Sequence, residues 1–517
     1  MQTITKEYAV ASQSDHVHPE SLKHIPRIQT SPSRWSGQGW KKFIDELKAK
    51  DINIREDRCS CAPYLTDAGG LGWGRPHGVL SPRSADDVSK ILKAAQSHRV
   101  PVTVRGGGLT TEGETVAYGG LLLDMTSMNQ VISIDPERMT VKTQTGIFWH
   151  QLAEVLRRDG LDYLSAPLNL TSTVGGTLGV GGIDVNSPHY GCSADQALEL
   201  EVVLPTGEIT ACSETENTKL FNLVLLGYGQ FGVITQAVLK IRKYTPVTMQ
   251  YVYYSSLTTA IKDMQWLVRE DAADYCGILT MMDKVINLLV AFDSEERKKE
   301  FELKFKNKLK GHGEPVFALQ MGLYYMLHPW RAGEALYLVK RRSELLRSFH
   351  PPHHINNGKL IDRAVVFSKS VWKFWGGKRV VIPDLSSNAE KFIEAVERGN
   401  AVCKKYFKYY TLYCVGIKLC DSPRYEMSCI PPDAKGFGYG CEFEPMLRGM
   451  NLSRDYLQSF ENDIYDIGVD MRLSYYRFGG QRKAYIRKIF PREIVDKYFK
   501  KKQELDPSMI LNPDVIF

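Results

Sequence analysis

Along this chain the apolar positions switch repeatedly between a helical and a strand period. Residues 39–50 carry apolar positions at helical spacing and predict an amphipathic helix. Ser84 can cap a helix with Asp87 three positions on, and Val88, Ile91, Leu92 and Ala95 then form an apolar stripe. The chain next runs into VPVTVRGGG, a short buried strand ending in glycines, and GLLLDM and TVKTQTG predict further strands. Leu152, Val155 and Leu156 mark a second helix, closed by Gly160. ALELEVVLPTGEIT and GVITQAVLKI alternate as paired strands, with a turn at Pro205-Thr206-Gly207. Beyond Tyr244-Thr245-Pro246 the character changes. Residues 247–470 are richer in aromatics and in longer helices, such as 257–269 and 333–348. Residues 1–35 are polar, without sustained periodicity, and predict a loose arm.

At 517 residues the chain exceeds what one core supports, which predicts two domains. No run reaches the ~20 apolar residues of a membrane span, and no apolar signal core opens the chain. A cytoplasmic protein is the expectation. The net charge of +7 is mild and dispersed, so stretches such as KKYFKYYTLY predict a solvated face rather than a nucleic-acid surface. Ten cysteines include no C-x-x-C pair, and Cys59 and Cys61 lie too close for an ordinary bridge. Reduced thiols are therefore expected. The His350, His353 and His354 cluster has no tetrahedral ligand spacing, so no metal is expected.

The chemistry concentrates in two glycine-rich segments, VRGGGLTTEG at 104–113 and STVGGTLGVGG at 172–182. Glycine permits positive φ and lets the backbone approach a bulky ligand, so that successive N–H groups point at oxygen anions. Each segment follows a strand-like run. Together they predict two loops gripping the phosphates of one dinucleotide from both sides, and that dinucleotide is read as FAD.

Residues 75–245 resemble the FAD-binding domain of the vanillyl-alcohol oxidase/PCMH flavoprotein superfamily, and within it the cytokinin dehydrogenases. The resemblance rests on PVTVRGGG, LLLDMTSMNQV, STVGGTLGVGG, HYGCSADQALELEVVLPTGEITACSETEN and LGYGQFGVIT, together with the terminal LDPSMILNPDVIF. It implies an α+β fold: a two-domain PCMH-type FAD-binding fold with a substrate-binding cap domain. The expected boundaries are an arm at 1–35, the FAD domain at 36–245, the cap at 246–470, and a returning segment at 471–517.

The resemblance also implies the cofactor contacts. Arg105, Gly106, Gly107 and Gly108, with Leu109 and Thr110 after them, form the first loop, whose backbone amides take the diphosphate. Val174, Gly175, Gly176 and Thr177 supply a second donor set, with hydroxyls from Thr173 and Thr177. Gly181 and Gly182 let the backbone pass near the isoalloxazine or ribityl chain. Gly232, Val233 and Ile234 stand beside the adenine half, and Asn512 belongs to the closing segment.

Two departures from the family pattern stand out. Many relatives attach FAD through a histidine directly after the glycine triplet; here that position is Leu109, which offers no nucleophile, so non-covalent FAD is expected. Cytokinin dehydrogenases place an aspartate base shortly before Thr-Val-Gly-Gly, where this chain has Leu168. Candidates to move a proton or orient the reaction are Asp184, alternatively a turn residue, and His189, alternatively a loop histidine bonded to backbone. Tyr476 and Arg477 lie where the chain returns over the flavin, with packing as their alternative role. The implied reaction removes a hydride from a carbon bearing O or N of a small organic substrate and passes electrons to oxygen or another acceptor. Cytokinin-dehydrogenase-like amine oxidation and a non-catalytic binding protein are the alternatives. The sequence leaves the oligomeric state open.

Overall fold

The computed structural model describes residues 33–70, 72–167, 169–183, 186–245, 248–254, 256–281, 285–292, 294–309, 383–408, 410–419, 434–445, 452–476, 483–513 and 515–516. The expected helix at 333–348, the histidine cluster, Leu168, Asp184 and Arg477 lie outside these residues.

The N-terminal half is built from two sheets. Strands β1 (Gly78–Leu80), β2 (Val102–Arg105) and β3 (Leu121–Asp124) form a parallel sheet in the order β1-β3-β2. The helix Ala85–His98 connects β1 to β2, as parallel strands require a crossover. Its capping signal is realised: Ser84 Oγ accepts from Asp87 N–H (3.1 Å), and Asp87 Oδ2 accepts from Arg83 N–H (3.0 Å). Val88, Ile91, Leu92 and Ala95 are fully buried against this sheet.

The second sheet is antiparallel. It comprises β4 (Val131–Asp135), β5 (Thr140–Gln144), β6 (Leu161–Tyr163), β7 (Ala197–Val203), β8 (Ile209–Ser213) and β9 (Val233–Lys243), ordered β4-β5-β9-β7-β8 with β6 also on β9. The predicted turn at 205–207 closes the β7–β8 hairpin, with Gly207 at φ 82° donating to Leu204 O (2.7 Å). Only glycine adopts that backbone readily.

The change of character after Tyr244 corresponds to a third sheet with its own core. Strands β10 (Thr248–Tyr254), β11 (Tyr275–Met281), β12 (Val285–Phe292), β13 (Asp384–Ser387), β14 (Tyr410–Lys418) and β15 (Phe437–Pro445) run antiparallel in the order β10-β12-β11-β14-β15-β13. The helices Leu257–Arg269, Ala389–Tyr406 and Arg454–Met471 contribute buried residues to that core.

The C-terminal segment ties the halves together. Leu511 pairs in parallel with Val102 along the open edge of β2, and Asn512 N–H donates to Val102 O (2.8 Å). Lys502, at the end of the helix Arg492–Leu505, is buried. Its Nζ donates to Asp506 Oδ2 (2.7 Å), Gln230 O (2.8 Å) and Leu511 O (2.8 Å). Asp506 in turn accepts from the N–H groups of Ile510 and Leu511 and from Gln96 Nε2. Burial pulls the Lys502 ammonium below its usual pKa, and Asp506 opposes that shift.

Removing one partner of a buried pair strands the other charge. Lys502→Met is therefore expected to cost about 3–5 kcal/mol, read as a lower urea midpoint; an unchanged midpoint would show that the pair is not what docks the segment.

Candidate cofactor site

The first glycine loop leaves the C-terminal end of β2 and meets the second segment at contact distance. A Cβ on Gly106 would collide with Thr173 Oγ1, and one on Gly107 would lie 2.7 Å from Thr171 O. Neither position tolerates a side chain without parting the two segments. Gly108 has φ 66°, and the Arg105 guanidinium fills the space where its Cβ would go.

Arg105 itself turns inward. Its Nη1 donates to Thr66 O (2.9 Å) and Thr115 O (3.3 Å), and its guanidinium lies 5.6 Å from the Tyr64 ring. Burial lowers its pKa, with Asp67 and Asp124 opposing. Its side chain braces the loop from within. Asp67 does the same from the neighbouring segment: Oδ2 accepts from Thr110 Oγ1 (2.8 Å) and Gly113 N–H (2.7 Å). Burial pushes its carboxyl up to about 6.

With the carbonyls of Gly108 and Thr110 taken by the N–H groups of Ala68 and Gly69, the loop is fixed through its acceptors. Its donors are left over. Among the described residues, the backbone N–H groups of Gly106, Gly107, Gly108, Leu109 and Thr110 have no protein acceptor. Consecutive unpaired N–H groups on a glycine turn fit an anion.

The second segment differs from the sequence expectation. Val174 N–H donates to Ile147 O (2.9 Å), Gly175 N–H to Thr145 O (2.7 Å), and Gly176 N–H to the Thr173 hydroxyl (3.3 Å). Thr173 is the N-cap of the helix Val174–Val180, and Thr177 Oγ1 accepts from Trp149 Nε1 (2.8 Å). The carbonyls of Ile147 and Thr145 take the first two amides and the Thr173 cap takes the third, so these donors are engaged by the protein. The second segment thus forms the wall against which the first loop packs.

Gly181 and Gly182, at φ 123° and 73°, end that helix. Gly182 N–H donates to Tyr476 Oη (2.9 Å), and the Tyr476 ring approaches Gly181. His189, on the short helix Ser187–Tyr190, pairs through Nδ1 with Asp271 Oδ1 (2.7 Å) from the third-sheet half. Gly232 packs directly on Val202, and Val233 and Ile234 open β9 within the core. Asn512 straps rather than lines the loop: Oδ1 accepts from Val104 N–H (2.7 Å), and Nδ2 donates to Gly229 O (2.8 Å).

Three residues that the sequence did not single out matter here. Thr145 joins Gly175 to β9 through its own N–H to Thr235 O (3.1 Å) and its hydroxyl to Ile234 O. Tyr228 and Asp384 both hold Tyr476. Their partners are remote in sequence, and no local pattern marks them.

Residues 76–213 match the family model described as the FAD binding domain. By that match, residues 76–213 are similar to FAD-binding domains. Its sequence is similar to cytokinin dehydrogenase 2 of Arabidopsis thaliana, 28% identical over 290 residues, covering 54% of this chain and 56% of that protein. It is also similar to cytokinin dehydrogenase 5 of the same organism, 35% over 204 residues and 37% of each chain. D-lactate dehydrogenase of Anaerostipes hadrus is 31% identical over 176 residues, covering 33% of this chain and 37% of that one. These matches thus span between 37% and 56% of the relatives' own length. In fold, the chain resembles an alkyldihydroxyacetonephosphate synthase structure with TM-score 0.62 at 14% identity, over 94% of this chain and 88% of that one. Among the described residues no helix is long and apolar enough to cross a membrane, and no cluster suits a metal ion.

The interlock makes Gly106→Ala an overpacking change, expected to cost about 1–3 kcal/mol and to weaken FAD binding. Thr173→Ala removes the colliding oxygen. The double variant is expected to lose less, in thermal midpoint and FAD titration, than the two single losses added; strict additivity would refute the contact. Asp67 yields a pH dependence. Its folded-state value of about 6 stands above the ordinary 3.8, so the fold favours its protonated form. That stability is fully present below pH 3.8 and is lost as pH rises through about 6. Unfolding free energy is expected to fall across this window by on the order of 3 kcal/mol, and Asp67→Asn is expected to flatten the profile.

Proposed function

We propose that the chain is an FAD-dependent oxidoreductase that removes a hydride from a carbon bearing O or N of a small organic molecule. The electrons then pass to oxygen or another acceptor. One observation carries this reading: the run of unpaired amides from Gly106 to Thr110, held open by Arg105 and Asp67 and backed by Thr171–Thr173.

When bound, FAD supplies hydride acceptance and reoxidation; the residues supply position and exclusion. The amides of Gly106, Gly107 and Gly108 would hold the diphosphate. Leu109 has no nucleophilic atom, so the cofactor is held without a covalent bond at this position. Tyr476, poised on Gly182, would face the reacting end where the third sheet covers the FAD-binding half. His189 has Nδ1 committed to Asp271, which leaves Nε2 as its nitrogen for proton movement. The similarity to proteins named cytokinin dehydrogenase and D-lactate dehydrogenase supports the C–N or C–O oxidation class, and the third-sheet half acts as the substrate cap.

Two measurements test the reading. Acid precipitation of the yellow holoprotein is expected to leave the flavin in the supernatant; flavin in the pellet contradicts non-covalent binding. Anaerobic addition of N6-isopentenyladenine, 2-hydroxy acids or simple alcohols is expected to bleach the yellow of the bound flavin with one class only. A protein that takes up no FAD refutes the proposal.

A further inference from the structure

The covered face between the third sheet and the FAD-binding half is where the proposed reaction would occur, and any role given to a residue on that face rests on that reading. Ser386 in β13 and Ser474 exchange two backbone hydrogen bonds, Ser386 N–H to Ser474 O (2.8 Å) and Ser474 N–H to Ser386 O (3.0 Å). The segment beginning at Leu473 therefore starts as an extra antiparallel strand on the sheet's edge. In such a ladder, hydrogen-bonded pairs recur every second residue. The next pair is Asp384 opposite Tyr476, and regular pairing would send Tyr476 N–H to the Asp384 carbonyl. It goes instead to the Asp384 carboxylate, at Oδ1.

The side chain intercepts the ladder bond, and regular pairing stops at that residue. Leu473 and Tyr475 remain in the core, Tyr475 Oη donating to Tyr465 O. Tyr476 crosses to the other half. There Tyr228 Oη donates to Tyr476 O (2.9 Å), and Gly182 N–H donates to Tyr476 Oη (2.9 Å). Asp384 is 2% exposed, so its side-chain oxygen meets the Tyr476 N–H out of competition with water.

We propose that Asp384 is a positioning residue: by capturing the Tyr476 N–H it turns the chain off the cap sheet and sets the Tyr476 hydroxyl on the Gly181–Gly182 turn of the cofactor site. What this requires of Asp384 is an acceptor, not a base. An asparagine carbonyl meets that requirement and a leucine does not.

The test uses full-length holoprotein as wild type, Asp384→Asn, Asp384→Leu and Tyr476→Phe. It reads the FAD dissociation constant, the visible circular dichroism of the bound flavin, and its midpoint potential against reference dyes. Asp384→Asn is expected to match wild type in all three. Asp384→Leu and Tyr476→Phe are expected to bind FAD about tenfold more weakly and to shift both the dichroic band and the potential. Should Asp384→Leu not fold, Tyr476→Phe and Asp384→Asn decide the matter between them. The inference is overturned if Asp384→Leu lowers only thermal stability, if Tyr476→Phe leaves the flavin readouts unchanged, or if Asp384→Asn is as damaging as Asp384→Leu. A wild type that binds no FAD overturns the cofactor reading and this inference with it; a wild type that binds FAD beside silent variants overturns this inference alone.

Discussion

The cofactor site depends on the close approach of Gly106 and Gly107 to Thr171 and Thr173. The parallel and antiparallel sheets have distinct cores, joined where Val203 and Val233 of the antiparallel sheet pack with the parallel one, and at this contact a loop from one lies directly on a segment from the other. Because no Cβ intervenes, the first loop packs directly against that segment, while its amides from Gly106 to Thr110 meet no acceptor among the described residues. The bracing side chains work in the same sense. Arg105 and Asp67 bind the carbonyls, the hydroxyl and the outlying Gly113 amide around the loop, and they leave its central N–H groups untouched. An anion site made this way needs no lysine and undergoes little reorganisation on binding, which is the condition under which fixed backbone dipoles act most strongly.

The second constraint lies far along the chain. Asn512 bonds Val104 just ahead of the glycine loop and Gly229 just ahead of β9, so one residue spans the two sheets. The buried Lys502–Asp506 pair holds that strap in place. A buried ion pair is a weak source of net stability but a strong specifier of geometry when each hydrogen-bonding group has a partner. Lys502 here finds two carbonyls in addition to the carboxylate. The C-terminal segment thus acts as a structural part of the cofactor domain although Asn512 and Val104 stand 408 positions apart.

How much of this was legible in the sequence depended on the distance between partners. The helix Ala85–His98 could be seen because Ser84, Asp87 and the stripe from Val88 to Ala95 lie within a dozen residues and answer one local rule. The hairpin at Pro205-Thr206-Gly207 was visible for the same reason. The FAD cofactor was legible from the glycine segments, and the FAD-binding domain match agrees. Their division of labour was not. Both segments present glycines and hydroxyls, yet the carbonyls of Thr145 and Ile147 occupy the second segment's amides, and nothing near residues 172–182 announces those partners. Asp384 escaped for the same reason, since its bond to Tyr476 spans 92 residues.

Strain marks the same neighbourhood from a third direction. Leu226 and Tyr228 hold φ values of 54° and 52°, a backbone region that residues with a Cβ rarely adopt. Both are pinned there by amide bonds to the end of the helix behind the glycine wall, Leu226 N–H to Leu178 O (3.0 Å) and Tyr228 N–H to Gly179 O (2.9 Å). The strained turn presents the Leu226 side chain to Gly181 and the Tyr228 hydroxyl to Tyr476 O. Such conformations persist only where surrounding contacts over-determine them. Here those contacts come from the helix wall, from the strap at Asn512 and from the third sheet through Tyr476. Contacts from both halves of the molecule thus converge on this turn.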